Sequence, residues 1–294
     1  MIKGRLGLHK AGIPHADRHG IIYISRSQID VDGGCIAFST RGFDGLSAGR
    51  YLVPFETIST IMMGPGCSVT HDVFRLAAHH GTQIMAIGDG GVRLYTAPPI
   101  GQDDSVIARR QTRLWADPET RKHISRRMYA WRFGEIFPDL SLDALRGMEG
   151  ARSRRTYQLI AKRYDIEWNG RKYDRSNPGS SDPPNQSLNH VATAVYAAAS
   201  VAVASVRAIP QLGFIHEDSG DAFVLDVADL YRDEVTVPVA FRSVKAYEKQ
   251  HDMTLERICR RECSSEFKKT GFIAKMIDRI KEMFHIEDTS ARDK

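Results

Sequence analysis

Up to about residue 97 the apolar positions recur in short runs with a period near two, the pattern of strands. Ile21 to Val31 alternates, Asp32-Gly33-Gly34 supplies a turn, and Cys35 to Thr40 runs back, so the segment reads as a hairpin. Tyr51 to Phe55 and Ile58 to Met63 are further short apolar runs, and Ile84 to Ile87 and Val92 to Tyr95 flank the turn Gly88-Asp89-Gly90-Gly91. Between them His71 to His80 has helical spacing and stops at Gly81. Hairpins dominate this reading, which gives a β-sandwich-like domain with one helix over residues 1–97.

Ala97 to Asp104 (APPIGQDD) is rich in Pro and Gly and marks a boundary, with a linker at 98–104. Beyond it the apolar period lengthens. Ser105 to Trp115, Glu119 to Phe137, Leu142 to Tyr164, Ser187 to Ala208, Leu225 to Tyr231, Val237 to Lys249, Thr254 to Glu266 and Gly271 to Phe284 all fit helices. The fold class is therefore α+β, an N-terminal β domain followed by an all-α domain over 105–294. Two irregular pieces interrupt the helices. Tyr173 to Gln186 is a long polar loop, and Gly213 to Phe223 is a connector, with a hairpin as one option, leading to a helix that begins near Leu225.

Leu188 to Pro210 is apolar over nearly a bilayer span, but its content is mostly Ala and Val interrupted by Thr193 and Ser200, which favours a helix buried among helices. The first twenty residues carry no apolar run after their positive charges, so neither a secretory signal nor a membrane anchor is expected; the expectation is a cytoplasmic protein without a membrane partner. Its four cysteines are too few and scattered for a disulfide framework, and Cys259 and Cys263, four apart on a helix, read as buried thiols ahead of a metal site.

Charge changes the picture. The formal net charge is +5, and arginines from Arg109 to Arg155 crowd the first helices of the α domain. The planar guanidinium fork suits phosphate oxygens, so a phosphodiester backbone is one partner for this run. A solvated face paired with Asp117, Glu119, Glu135 and Asp143 is the other reading.

Three groups could carry chemistry. In RGMEGARSRRTY, Glu149 lies among Arg146, Arg152, Arg154 and Arg155 and between Gly147 and Gly150, which would let a ligand approach; ion pairing explains the same letters. In HEDSGDAFVLDVADLYR, Asp226 and Asp229 share a helix face near His216; together they suit a hard Mg²⁺ or Mn²⁺ ion, while acids at a helix start and a structural histidine are the plainer reading. In WNGRKYD, Trp168 to Asp174, aromatics alternate with cations as a surface for unpaired bases would require, and a turn with Trp168 packed in the core, the plainer reading, explains the same letters.

These motifs, with PGCSVTHDVFRLAAHHGT, GVRLYTA, RFGE and VTVPVAF, resemble over nearly the whole chain the CRISPR-associated spacer-acquisition integrase family, and WNGRKYD points to its type I-E branch. The resemblance implies a β domain that makes the homodimer and an α-helical catalytic domain. It places the catalytic and metal-binding Glu, His and Asp at Glu149, His216 and Asp229, with Asp226 as supporting acid, and a Mg²⁺ or Mn²⁺ cofactor. Matching DNA-binding positions are Arg75, Arg93, Arg146, Arg152, Tyr173 and Tyr196. Arg26 stands where an aromatic is usual, Ser68 where a basic residue is, and the loop HEDSGD is acidic where relatives carry Lys. The implied activity joins 3′-hydroxyl ends of short double-stranded DNA fragments into CRISPR repeat DNA by transesterification, with a small ferredoxin-like partner between two integrase dimers. The alternatives are a structure-selective nuclease using water as nucleophile and a non-catalytic DNA-binding scaffold.

Overall fold

The computed structural model describes residues 20–53, 58–96, 105–172, 181–250 and 252–284. The expected linker, Tyr173 and most of the long polar loop after it lie outside them.

Strands come first. Eight of them, β1 (Gly20–Ile24), β2 (Ser27–Asp32), β3 (Cys35–Thr40), β4 (Gly49–Val53), β5 (Ile58–Met63), β6 (Ser68–Val69), β7 (Gln83–Ile87) and β8 (Leu94–Thr96), form two four-stranded sheets. One has the order β1-β5-β7-β8 and the other β4-β3-β2-β6. The helix α1 (His71–His80) ends at Gly81, whose φ of 68° supplies the left-handed cap. Both sheets and α1 bury one apolar cluster that includes Ile24, Ile29, Phe38, Ile61, Val73 and Ile84.

The expected dominance of hairpins is corrected. β2·β3, β3·β4 and β7·β8 are antiparallel, but β1·β5, β5·β7 and β2·β6 are parallel. Strands that are neighbours in space are distant in sequence there, and α1 provides the crossover between β5 and β7 that a parallel pair requires. Nor is Ile21 to Val31 one strand. Arg26 takes a positive φ of 49° and donates its N–H to the Pro65 carbonyl at 2.9 Å, so the chain leaves one sheet after Ile24 and enters the other at Ser27.

The helices follow: α2 (Val106–Ala116), α3 (Pro118–Phe133), α4 (Leu142–Arg163), α5 (Pro183–Ser205), α6 (Ala222–Asp229), α7 (Val237–Tyr247), α8 (Leu255–Thr270) and α9 (Phe272–Met283). Three of these helices start on side-chain caps at which Asp117 accepts the Thr120 N–H, Ser141 that of Ala144 and Asp182 that of Asn185. Among the described residues α5 is the one helix long and apolar enough to cross a membrane, and most of it is buried against α6, α7, α8 and α9. Its small side chains allow that close approach. Cys259 and Cys263 are buried on α8, Cys259 against the Ser187 hydroxyl of α5. Trp168 packs between Tyr157 and Phe241, with ring centroids 5.4 Å from each.

The strand-rich part docks on the helices without a gap. Met62, Met85 and Ile87 pack on Val201 of α5; Thr60 and Ser205 share a buried hydroxyl contact at 2.9 Å, and Gln83 donates to the Ala204 carbonyl at 2.8 Å. The β7–β8 turn meets α8, where a Cβ on Gly90 would lie 2.6 Å from that of Ser264.

Candidate active site

Two departures from the sequence reading shape the site. The helix α6 starts at Ala222, not near Leu225, and the connector before it forms turns, with no hairpin. Asp229 is therefore the last residue of α6, at the negative end of its dipole, where a carboxylate is disfavoured unless cations hold it. Those cations are present. Arg232 donates to Asp229 Oδ1 at 2.5 Å through Nη2 and at 3.2 Å through Nε, and Arg132 Nη1 lies 3.7 Å from Oδ2. Arg232 begins a wide turn over Arg232–Thr236 into α7, set beside Pro238, which has no N–H to continue regular α-helical bonding.

Asp226, one turn earlier, faces inward and is buried. Its carboxylate accepts the backbone N–H groups of Phe214 (2.5 Å), Ile215 (3.1 Å) and His216 (2.9 Å), and the His216 ring from Nδ1 at 2.7 Å. An ionised carboxylate only accepts, so the Nδ1 carries the hydrogen and Nε2 is left as a donor of electrons. That Nε2 points to Asp229, 3.8 Å from Oδ2. The Asp226 hydrogen bond raises the His216 pKa, burial works against it, and Asp229 and Glu149 add to the rise.

Glu149 comes from α4. Arg146, Glu149 and Arg152 are three residues apart and so share one face of that helix. Glu149 Oε1 lies 2.8 Å from Nη1 of Arg132, whose side chain is only 4% exposed. One guanidinium thus gathers Glu149 and Asp229, and His216 faces the same place. A Cβ at Gly147 would meet open space, and one at Gly150 would lie 3.8 Å from the Arg154 guanidinium.

Among the described residues no three His, Cys, Asp or Glu side chains stand close enough to hold a metal as they are placed; Arg132 occupies the point between the acids. The donor set nevertheless fits a hard divalent ion: two carboxylates, one imidazole nitrogen with its opposite N–H fixed by a third carboxylate, and a residue cation that shows where positive charge is favoured.

The remaining positions are spread more widely. Arg146 reaches Asp143 (3.5 Å) and the Ile215 carbonyl (3.5 Å), beside His216. Arg152 lies over the Phe133 ring and 3.9 Å from Asp233. Tyr196 is half-buried on α5, its hydroxyl pKa pushed up to about 12 by burial and then by Asp221. In the strand-rich part Arg75 is exposed and paired with Asp72 at 3.1 Å, while Arg93 is paired with Glu256 of α8 at 2.6 Å.

The arginine run has both packed and exposed members. Arg121 stacks on Trp115, and Arg127 stacks on Trp131, whose ring also lies against Arg279. Arg110, Arg113, Arg154 and Arg155 are exposed. The Arg132 contact with both acids, and the Arg232 clamp, were not singled out from the sequence; RFGE and DLYR contain them, but nothing in the spacing tells an inward arginine from its solvated neighbours.

A strand-rich N-terminal part leading into a helical part is the architecture of solved Cas1 structures. The profile of CRISPR associated protein Cas1 matches residues 134–260, the part that contains Glu149, His216 and Asp229. A CRISPR-associated endonuclease Cas1 of Rhodospirillum rubrum is 35% identical, across 91% of this chain and 85% of its own length. The crystal structure of a TtCas1–DNA complex superposes with a TM-score of 0.81 at 30% identity, covering 90% of this chain and 96% of that one. A casposase bound to integration product shares the fold, with a TM-score of 0.59 at 18% identity over 91% of this chain and 96% of its own. The chain belongs to the Cas1 family of CRISPR-associated endonucleases.

Proposed function

We propose that this chain is the integrase subunit of CRISPR adaptation in the type I-E branch, joining the 3′-hydroxyl ends of short double-stranded DNA fragments into the repeat array in the cytoplasm. The observation that carries the reading is the grouping of Glu149 and Asp229 around one buried cation, with His216 Nε2 3.8 Å from Asp229 and Asp226 fixing the imidazole tautomer. DNA is also what the TtCas1 relative was solved with.

The reaction exchanges one phosphodiester for another. A new P–O bond forms to the fragment's 3′-oxygen as the P–O3′ bond at the repeat boundary breaks; the attacking hydroxyl gives up its proton and the departing oxygen takes one. No energy-rich co-reactant is required. Glu149, His216 and Asp229 would hold Mg²⁺ or Mn²⁺, which when bound offsets the charge developing on the phosphoryl oxygens. Arg146 and Arg152, on the Glu149 face of α4, orient the strand so that the attacking oxygen is in line. Asp226 keeps the His216 ring from turning away.

The strand-rich part makes the homodimer, and two such dimers flank a small ferredoxin-like partner dimer. A second reading follows from the relatives' designation as endonucleases: the same residues with water as nucleophile. The wild-type protein, its partner, a labelled fragment and a supercoiled repeat plasmid separate the two. Label covalently joined at repeat boundaries supports the integrase; plasmid cleavage without joining supports the nuclease.

A further inference from the structure

The connector that leads from α5 to His216 is irregular, and helix α2 bonds its first half. Gln111 is fully buried on α2, and its side chain makes three hydrogen bonds to backbone that belongs to neither helix nor strand. Oε1 accepts the Ile209 N–H at 2.7 Å, and Nε2 donates to the carbonyls of Ile209 and Leu212, both at 2.9 Å. One turn along α2, Trp115 donates from Nε1 to the Gly213 carbonyl at 2.8 Å. From α3 the Ser125 hydroxyl donates to the Phe214 carbonyl, also at 2.8 Å.

Irregular backbone has no ladder of its own, so its path is set by the side chains that meet its N–H and C=O groups. The second half of the connector is held from the other side, where Asp226 accepts the N–H groups of Phe214, Ile215 and His216. The two halves touch at Gly213. A Cβ there would collide with the His216 carbonyl oxygen and lie 2.7 Å from the Ala222 Cβ, at the start of α6. Any shift of Leu212 and Gly213 is therefore felt directly by His216. Asp226 holds the imidazole only while the backbone from Phe214 to His216 curls over its carboxylate, and that curl begins where Gln111 fixes it.

We propose that Gln111 is a positioning residue for His216, setting through the backbone of residues 209–213 the place from which the imidazole faces Asp229. It rests on the DNA-joining reading above for the role of His216 in the reaction. The bonds of Gln111 end on Ile209 and Leu212, so it acts through the backbone, with Trp115 beside it holding the next residue. A connector released from Gln111 lets the ring turn so that Nε2 no longer faces Asp229. The donor set then loses its nitrogen while the exposed cations that would grip DNA stay where they are.

The test compares the full-length wild type with two variants. Gln111→Met keeps the length of the side chain and loses all three bonds; Gln111→Glu, when ionised, keeps the acceptor for the Ile209 N–H and loses the donor. The readouts are the ¹⁵N shifts of the His216 ring in metal-free buffer, affinity for Mn²⁺ alone, and kcat and KM for joining a labelled fragment with partner and repeat plasmid. Both variants should move the ring shifts towards a mixture of tautomers and bind Mn²⁺ about tenfold more weakly, as when a group that orients a ligand is lost. The kcat should fall by about the same factor. KM for the fragment should not change, since Arg110 and Arg113 remain exposed on α2. Ring shifts and Mn²⁺ affinity equal to those of the wild type would overturn the proposal, even if stability fell. A wild-type protein that joins no fragment, beside variants whose ring shifts and Mn²⁺ affinity change as expected, would remove the joining reading and leave the positioning of His216 standing. If both Gln111 variants fail to fold, Trp115→Phe, which keeps an aromatic ring and removes the Nε1–H, decides on the same ring shifts and Mn²⁺ affinity.

Discussion

Nη1 of Arg132 lies 2.8 Å from Glu149 and 3.7 Å from Asp229, so a single buried guanidinium balances two carboxylates that come from different helices. In the metal-free protein this contact is what keeps the two acids together. Removing the cation leaves like charges facing each other, and breaking a buried ion pair from one side costs about 3 kcal/mol. Arg132→Met should therefore lower metal-free stability by that order in chemical denaturation with chelator present. Mn²⁺ should restore more stability to the variant than to the wild type, because it neutralises acids that Arg132 no longer serves. Equal stabilisation of both by Mn²⁺ would separate Arg132 from the metal site.

His216 supplies a pH signature. Its pKa is raised chiefly by the Asp226 hydrogen bond, so the protonated ring stabilises the metal-free fold fully below the ordinary imidazole value of 6.5. That contribution is lost as pH rises through the raised folded-state value. Metal-free stability should fall across this window, and Asp226→Asn should flatten the fall and lower the His216 titration seen by NMR. Metal affinity should move oppositely, rising with pH as the proton on Nε2 is given up.

The contact between the β7–β8 turn and α8 is a point where one methyl group matters. Gly90 has a φ of 64°, and an added Cβ would lie 2.6 Å from Ser264 Cβ. Gly90→Ala should destabilise by about 1–3 kcal/mol from overpacking and backbone strain together. Pairing it with Ser264→Gly should relieve the steric part only, so denaturation of the double variant should recover some stability and not all. Full recovery would mean the left-handed conformation costs nothing there.

How much of this was legible in the sequence depends on how local its cause is. Helix α5 shows itself through its Ala and Val content, but its start was placed four residues late, at Ser187, because the Asp182 cap and Pro183-Pro184 read as part of the polar loop. The start of α6 was placed three residues late: Ala222-Phe223-Val224 is continuously apolar and offers no period to mark a beginning. The parallel pairings of β1, β5 and β7 are invisible to periodicity, since partners as far apart as Ile21 and Thr60, or Thr60 and Gln83, have no single turn between them. The break at Arg26 is hidden because only context forces a non-glycine residue to positive φ. His216, Asp226 and Asp229 stood out as a mixed imidazole and carboxylate set, while Glu149 joined them only through the family resemblance; Glu149 and Asp229 both face Arg132, and His216 lies 3.8 Å from Asp229. Arg132 did not stand out, one cation in a run of arginines.

Arg110, Arg113, Arg154 and Arg155 are exposed on α2 and α4, so on the proposed function DNA affinity should be mainly electrostatic. A fragment that engages about six phosphates should lose about 10³-fold in affinity between ~50 and ~200 mM salt, whatever the sequence of its middle. Anisotropy titrations at several salt concentrations check this. A flat salt response would show that these cations do not carry the binding.

Under the proposed function Glu149, His216 and Asp229 form one metal-dependent site for strand joining. Asp229→Ala tests it most directly, assayed with partner, labelled fragment and supercoiled repeat plasmid in Mg²⁺ or Mn²⁺, with DNA binding by the same protein measured beside it. The expected result is joining lost by several orders of magnitude while DNA affinity stays within a few-fold of wild type. Joining at the wild-type rate by Asp229→Ala would contradict the claim.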